Sequence, residues 1–242
     1  MAQGSNVPRG TRALKVLCLP YAGAGAGVYR PWQHDPGPAL SPIPIQLPGR
    51  EEEFSLPHHH SMAAAVADVV RRVRAAADGE PFVLFGHSLG AVLAHEAARQ
   101  LLASGGPIPR HLVVSGSVSP RRRRPPRPFP TDPDAFTVAR LRELTGAPLE
   151  TLEHPELRDL LLPALLADLA LLDDYRPPQD PAPLPLPITA IRGSSDATVP
   201  VLDWQDWEAY TSAAFRGLQL PGGHMYLTDS WPSVRQTLER LA

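Results

Sequence analysis

The sequence predicts an α/β fold with a mostly parallel central sheet flanked by helices. Strand-like and helix-like runs alternate along the chain, several strand-like runs are almost wholly apolar, and 242 residues suit one such domain. The predicted strands lie near Leu14–Pro20, Ile43–Leu47, Pro81–Phe85, His111–Ser115, Ile188–Arg192 and Phe215–Leu220, and the predicted helices at Met62–Ala77, Ala91–Ala103 and Trp231–Leu241.

A proline-flanked helical segment interrupts this alternation after the fourth strand. Asp134–Leu144 is helix-like, and Pro155–Tyr175 is helical and strongly apolar, with Pro163 either dividing it into two helices or kinking one. We therefore predict a single domain, residues 1–242, with a helical lid insertion at about residues 120–176 over the carboxyl edge of the sheet. The alternative is an ordinary pair of packing helices.

The turn after the third predicted strand carries a catalytic motif. Gly86-His87-Ser88-Leu89-Gly90 fits G-x-S-x-G and stands between a strand-like and a helix-like run. A serine on such a turn is held with its hydroxyl exposed, and the N-terminal end of the next helix faces the reaction centre, where negative charge develops. Ser88 is therefore the predicted nucleophile, and His87 is expected to shape the turn rather than to act as a base.

An acid and a base follow Ser88 in the order that an α/β-hydrolase requires. Asp196 lies in the loop after the fifth predicted strand, and His224 follows the sixth. We predict that His224 takes the Ser88 proton and that Asp196 orients the imidazole. Taken singly, Asp196 also fits a loop-capping aspartate and His224 a turn histidine. Together with the serine turn they predict a catalytic triad in an α/β-hydrolase fold.

The loop after the first predicted strand is built from small residues. It runs from Tyr21 to Gly27 (YAGAGAG), where backbone can approach a substrate closely. We assign the backbone N–H of Ala22 as one oxyanion donor and that of Leu89, which follows the nucleophile, as the other. The rival interpretation is a dinucleotide-binding G-x-G-x-x-G turn. It is the weaker interpretation, because Val28 stands at the sixth position and Pro31 interrupts the helix that should follow.

Charge, cysteine content and hydropathy argue against several classes of protein. The 23 basic and 25 acidic residues give a formal charge of −2, so nothing global indicates nucleic-acid binding. Cys18 is the single cysteine, which excludes a disulfide within the chain. The N-terminus lacks the apolar run of a signal peptide, and no apolar run is long enough to span a bilayer. We expect a cytoplasmic protein without membrane or nucleic-acid partners.

Three consecutive histidines, His58-His59-His60, raise the question of a metal site. Consecutive residues cannot all face one ion from a regular strand, and no partner motif accompanies them. We expect an exposed loop or helix-entry role for these histidines and no metal in the protein.

Longer motifs resemble one family, the type II thioesterases that accompany modular polyketide and non-ribosomal peptide synthases. The similarity covers nearly the whole chain from about Leu14. It is carried by LPYAGAG (Leu19–Gly25), LPGRE (Leu47–Glu51), GHSLGAVLAHEAAR (Gly86–Arg99), LRELTGAP (Leu141–Pro148), HPELRDLLLPALLADLALLDDYR (His154–Arg176) and PGGHMYL (Pro221–Leu227).

The resemblance implies hydrolysis of acyl thioesters on the phosphopantetheine arm of acyl or peptidyl carrier proteins. Enzymes of this family remove stalled or wrongly loaded acyl groups, and the substrate itself carries the phosphopantetheine, so no cofactor is implied. The resemblance assigns Ser88, Asp196 and His224 to the triad. Leu89 replaces a common methionine, His95 replaces a usual aromatic residue, and Met225-Tyr226 replaces a more aromatic pair. These departures bear on acyl-chain preference rather than on the chemistry.

A basic run, Arg121-Arg122-Arg123-Arg124, precedes the predicted lid. One interpretation is a solvated linker. The functional interpretation is docking of an acidic carrier protein by charge attraction.

Three alternatives to an editing thioesterase stay open from the sequence. The first is a thioesterase that releases finished acyl chains, and the second is a general carboxylesterase. The third, from a different class, is a non-catalytic partner that binds carrier proteins and keeps the fold. An intact triad argues against the third, because a scaffold has no need to place Ser88, Asp196 and His224 at three separate strand ends.

Overall fold

The computed structural model describes residues 13–122, 154–178 and 181–241. Its central sheet has six strands in the order β2-β1-β3-β4-β5-β6, and every neighbouring pair is parallel. The strands are β1 (Leu14–Leu19), β2 (Leu40–Pro44), β3 (Phe82–His87), β4 (His111–Ser115), β5 (Ile188–Gly193) and β6 (Phe215–Leu220). The helices are α1 (Arg30–His34), α2 (Met62–Ala77), α3 (Leu89–Ala103), α4 (Pro155–Asp174), α5 (Val201–Gln205) and α6 (Trp231–Glu239). The predicted parallel sheet with flanking helices is confirmed.

Two apolar clusters cover the two faces of the sheet. Alternate side chains of a strand point to opposite faces, so Leu17 joins one cluster and Val16 the other. The larger cluster packs α2, α3 and α4 onto the sheet. The smaller one packs α1 and α6, where Trp32 stacks on Trp231 with ring centroids 4.2 Å apart. The central strand β3 is buried along its whole length, which holds the turn at its carboxyl end against a rigid support.

The bounds of α2 are those that the sequence predicts, because its ends carry clear signals. Ser61 caps the helix, accepting the backbone N–H of Ala64 at 3.2 Å. Buried valines and alanines recur along one face, and the chain leaves the helix at Asp78 with φ 48°. Local sequence is therefore sufficient to define this element.

The second strand lies three residues earlier than predicted. The apolar run Ile43–Leu47 indicated a strand, whereas β2 spans Leu40–Pro44. Pro42 and Pro44 lack an N–H group, and β2 tolerates them because it is an edge strand of the sheet. Pro31 also behaves differently from the expectation: it lies in the first turn of α1, where its missing N–H costs no helical hydrogen bond.

The predicted lid is described only at its two ends. Pro155–Asp174 forms one helix that passes through Pro163, so the division into two helices was wrong. Helix α4 buries Leu162, Leu165 and Leu169 in the larger apolar cluster. The predicted helix Asp134–Leu144 lies outside the described residues, and the lid itself stays a prediction. Among the described residues, no helix is both long and apolar enough to cross a membrane.

Candidate active site

Ser88 lies on a sharp turn between β3 and α3. Its φ of 54° and ψ of −112° place it in a conformation that residues with side chains rarely adopt. Its backbone N–H donates to the carbonyl oxygen of Ser115, at the end of β4, at 2.8 Å. The strained turn is thus tied directly to the neighbouring strand, and the residue remains partly exposed.

The two motif glycines leave no room for a side chain. A Cβ on Gly86 would lie 2.0 Å from the carbonyl oxygen of Gly90, and one on Gly90 would lie 2.2 Å from the carbonyl oxygen of Leu19. The second contact presses the serine turn against the end of β1, where the Tyr21–Gly27 loop begins. Backbone packing therefore holds the turn, and glycine is required at both positions.

Asp196 and His224 come together from two separate loops. His224 Nδ1 donates to Asp196 Oδ2 at 2.9 Å. The other carboxylate oxygen, Oδ1, accepts the backbone N–H of Thr198 at 2.9 Å and its hydroxyl at 2.6 Å. The Asp196 side chain is fully buried, whereas that of His224 is 13% exposed. With Nδ1 engaged by the carboxylate, the other ring nitrogen, Nε2, is left for proton transfer.

The hydrogen bonds keep Asp196 charged. Burial alone would raise the pKa of this carboxyl, but the hydrogen bond and charge of His224 and the two hydrogen bonds from Thr198 outweigh burial. Together they lower the pKa of Asp196 from 3.8 to about 2. A carboxylate that stays ionised beside Nδ1 can stabilise an imidazolium on His224.

Backbone contacts and one buried arginine hold the acid loop. Arg192, on β5, donates to the carbonyl oxygens of Asp196 at 3.0 Å and of Val199 at 2.9 Å. A Cβ on Gly193 would lie 2.2 Å from the carbonyl oxygen of Gly223, so the acid loop and the histidine loop pack backbone to backbone. The hydrogen bonds of Arg192 and the contact between Gly193 and Gly223 therefore fix how far Asp196 lies from His224.

His87, the residue before Ser88, links the serine turn to the end of β4. It is fully buried, and its Nδ1 lies 2.7 Å from Ser115 Oγ, which in turn lies 2.5 Å from the Tyr226 hydroxyl. Burial, with the neighbouring charge of His224, lowers the pKa of His87 well below 6.5 and keeps the ring neutral. The ring centroids of His87 and His224 are 5.2 Å apart, which places His224 beside the turn that carries Ser88.

The two proposed oxyanion donors follow two neighbouring strands, β1 and β3. Ala22 is buried in the loop after β1, and Leu89 is the first residue of α3. Their strands pair directly, with Leu19 opposite Gly86 at the carboxyl edge. Gly23, the residue after Ala22, has φ 79°, and its backbone N–H donates to Asp168 Oδ2 of α4 at 2.8 Å.

An apolar cavity of about 620 Å³ lies beside this loop. The Tyr21–Gly25 backbone, the Gly49–Phe54 segment and the N-terminal half of α4 form its walls. Phe54 and Leu160 line it and are themselves 59% and 53% exposed. The cavity therefore offers apolar surface that is open to solvent beside the loop that carries Ala22.

The basic run is only partly described. Arg121 and Arg122 both form ion pairs with Asp206, and Ser119 Oγ donates to the same carboxylate at 2.5 Å. The side chains of Arg121 and Arg122 are still 56% and 49% exposed. Arg123 and Arg124 lie outside the described residues.

The histidine run precedes α2. His59 Nε2 lies 3.2 Å from Asp68 Oδ2, which also accepts from Arg72. Within residues 13–122, 154–178 and 181–241, no group of three or more histidine, cysteine or acidic side chains is arranged to hold a metal ion. His95, the departure on α3, is buried against the rings of Trp207 and Tyr210.

Sequence reasoning missed four residues that organise this region. Thr198 follows Asp196 by two positions, the spacing at which an aspartate side chain commonly accepts from a nearby backbone N–H. Arg192 is a charged residue inside an apolar strand, and Asp168 is a charged residue inside an apolar helix run. Such residues are seldom buried without a partner. Arg50, the partner of Asp168, lies in the LPGRE motif and gives no such local signal.

Comparisons with known proteins show the family of the chain. The thioesterase domain family matches residues 14–241. The linear gramicidin dehydrogenase LgrE of Brevibacillus parabrevis is 34% identical over 237 residues, which span 96% of this chain and 89% of LgrE. The RedJ thioesterase structure, from the prodiginine biosynthetic pathway of Streptomyces coelicolor, aligns with a TM-score of 0.82 at 31% identity, covering 95% of this chain and 90% of RedJ.

A second solved structure is YbtT, a type II thioesterase from the yersiniabactin NRPS/PKS pathway. It aligns with a TM-score of 0.83 at 26% identity, covering 96% of this chain and 94% of YbtT. The resemblance drawn from the sequence motifs is thus confirmed, as is the prediction of a thioester hydrolase with an α/β-hydrolase type of fold. The chain belongs to the thioesterase family, and its relatives include type II thioesterases of non-ribosomal peptide and polyketide pathways.

Proposed function

We propose that this thioesterase hydrolyses acyl groups from the phosphopantetheine arm of carrier proteins and thereby edits a non-ribosomal peptide or polyketide synthase. The observation that carries the proposal is the Asp196–His224 hydrogen bond beside the strained Ser88 turn. An acid, a base and a nucleophile from three strand ends form the constellation that acyl transfer needs.

In the proposed reaction, Ser88 Oγ attacks the thioester carbonyl carbon while His224 Nε2 takes the hydroxyl proton. The backbone N–H groups of Ala22 and Leu89 stabilise the negative oxygen of the tetrahedral intermediate. Collapse of the intermediate breaks the C–S bond, and the pantetheine sulfur leaves with the proton from His224. Water then attacks the Ser88 ester with His224 as base, which releases the free acid and restores the serine hydroxyl.

The chemistry requires no metal or cofactor in this proposal. A thiolate is a good leaving group, so the tetrahedral intermediate needs little acid assistance to collapse. The charged Asp196 carboxylate stabilises the imidazolium, and the oxyanion donors stabilise the opposite charge on the substrate. An apolar acyl chain suits the cavity beside the Tyr21–Gly27 loop, because that cavity is lined mainly by apolar groups.

The proposed partner is an acidic carrier protein that approaches the basic run. Arg121 and Arg122 both pair with the carboxylate of Asp206, and their side chains stay 56% and 49% exposed. Arg123 and Arg124 continue the basic run in the sequence. Charge attraction of this kind raises the association rate more than the final affinity. We also propose a cytoplasmic location, which fits the single buried Cys18.

The test is hydrolysis of acyl-carrier thioesters of increasing chain length, run beside matched oxygen esters. We expect Ser88→Ala to lower kcat at least about 10³-fold and the wild-type protein to form an acyl-enzyme that is visible by mass spectrometry. Ser233→Ala, a change on the exposed surface of α6, is the matched serine control and should retain full activity.

Each outcome of the panel distinguishes the alternatives. Ser88-dependent release of short and varied acyl groups supports editing, whereas turnover of long chains alone indicates a chain-releasing enzyme. A strong preference for oxygen esters indicates a general esterase. A folded protein without any Ser88-dependent turnover, whose Ser88→Ala variant retains biological activity, indicates the non-catalytic partner.

A further inference from the structure

One buried carboxylate joins the helix α4 to the loop that carries Ala22. Asp168 Oδ2 accepts the backbone N–H of Gly23 at 2.8 Å, and the Asp168 side chain is only 3% exposed. Gly23 has φ 79°, and a Cβ there would lie 3.1 Å from Leu165 Cβ of the same helix. The loop and the helix are therefore in close contact at this point, and the N–H of Gly23 has Asp168 as its acceptor.

The same carboxylate forms a bidentate ion pair with Arg50. Arg50 Nη1 donates to Asp168 Oδ2, and Nη2 donates to Oδ1 at 3.0 Å. Arg50 Nη1 also donates to the carbonyl oxygen of Ala24 at 3.2 Å. Asp168 and Arg50 together thus hold the loop by the N–H of Gly23 and the carbonyl of Ala24, the two residues directly after Ala22.

We propose that Asp168 is a positioning residue for the oxyanion hole. Asp168 holds the planar peptide on the carboxyl side of Ala22 by the N–H of Gly23. On the other side, the Tyr21 carbonyl oxygen, which shares a planar peptide with the Ala22 N–H, accepts the backbone N–H of Ala24 at 3.1 Å. With both peptides held, the N–H of Ala22 keeps one orientation before substrate arrives, as a preorganised donor must. This inference rests on the proposed function, in which Ala22 binds the oxyanion.

Stability alone is a weak explanation for this pair. Two charges buried in an apolar helix contact cost much of their mutual attraction in lost hydration, and apolar residues of similar size often replace such pairs without loss. An apolar pair, however, offers no acceptor to the Gly23 N–H. The role of Asp168 can therefore be separated from its effect on folding.

Two double variants make this separation. Arg50→Met with Asp168→Leu removes both charges and the acceptor, whereas Arg50→Met with Asp168→Asn removes both charges but keeps an oxygen that can accept from Gly23. We expect the first to lower kcat on a small soluble thioester about tenfold to a hundredfold with KM little changed. The second should recover most of that loss. Thermal unfolding and near-UV circular dichroism establish that both are folded.

Several results would overturn the proposal. These are a wild-type kcat in the folded Leu variant, an equal loss in both double variants, or a raised KM with kcat unchanged. Where the Leu variant does not fold, Asp168→Ala is compared with Asp168→Asn: a lower kcat in the folded Ala variant than in the folded Asn variant supports positioning, and equal kcat values contradict it. Ser88→Ala is measured in parallel. If it retains activity, the proposed function has failed, and that failure is distinct from failure of the positioning role.

Discussion

The serine turn and the acid–histidine loops are held by different kinds of contact. The turn is fixed by packing of backbone against backbone. Backbone carbonyl oxygens occupy the space that a Cβ on Gly86 or Gly90 would need. The loops of Asp196 and His224 also touch through their backbones at Gly193. The Asp196 side chain itself, however, is fixed by hydrogen bonds from Thr198, and Arg192 holds its carbonyl oxygen. Adding an atom should therefore break the serine turn, whereas removing a hydrogen-bond donor should loosen Asp196.

The largest effect is expected from Gly90→Ala. The new Cβ would lie 2.2 Å from the carbonyl oxygen of Leu19, and neither backbone can move without shifting β1 or α3. We expect a loss of about 3 kcal/mol or more in the free energy of unfolding, together with loss of activity. Chemical denaturation measures the first and thioester hydrolysis the second.

Gly223→Ala is the matched stability control for this prediction. A Cβ at Gly223 has open space around it, so the free energy of unfolding should change by no more than about 0.5 kcal/mol. Equal stability of the Gly90→Ala variant and the wild type would show that the turn is not held by backbone packing.

A smaller effect is expected from Thr198→Val in the second region. The change removes the hydroxyl donor to Asp196 Oδ1 but keeps the backbone donor, so stability should fall by about 1 kcal/mol and kcat by a few-fold. The pKa of Asp196 should rise from about 2 toward 3.8. NMR titration of the carboxyl group measures this shift directly.

The pH dependence of stability follows from the same carboxyl. Because folding lowers the pKa of Asp196, its contribution to stability is complete above pH 3.8 and is lost as the pH falls toward about 2. Because Thr198→Val should raise the pKa of Asp196 in the folded protein, this contribution to stability should become smaller and should be lost at a higher pH than in the wild type. An unchanged acid unfolding curve would indicate that the hydroxyl does not stabilise the charged acid.

The smallest effect on the folded protein is expected at the basic run, which belongs to neither region. Arg123→Glu with Arg124→Glu leaves the Arg121 and Arg122 pairs with Asp206 in place. At low salt we expect a several-fold lower kcat/KM for an acyl-carrier thioester and no change for a small soluble thioester. Arg216→Glu, an exposed charge reversal on β6, is the control. Equal loss on both substrates, or loss on neither, would contradict docking.

The difference between the regions also explains what sequence reasoning could and could not predict. The G-x-S-x-G turn, its strand and its helix lie within a short stretch, so local pattern places Ser88. The order along the chain was enough to predict that Asp196 and His224 act together, and the two side chains are hydrogen-bonded, but the other partners of Asp196 could not be predicted. Thr198 and Arg192 act through loop geometry that no periodicity shows, and Arg50 and Asp168 are 118 residues apart. Even β2 was misplaced, because the prolines that argue against a strand are tolerated at the edge of a sheet.

The order of strands in the sheet has a consequence for how the enzyme matures. The first four strands to be synthesised form a contiguous half-sheet, β2-β1-β3-β4, with the strained serine turn in its middle. The last strand, β6, docks at the far edge and is followed directly by His224. A chain emerging from the ribosome therefore contains Ser88, the proposed nucleophile, before His224, the proposed base, has been synthesised. Under the proposed mechanism, we expect hydrolysis to begin only after β6 has paired with β5 and brought His224 to the edge of the sheet.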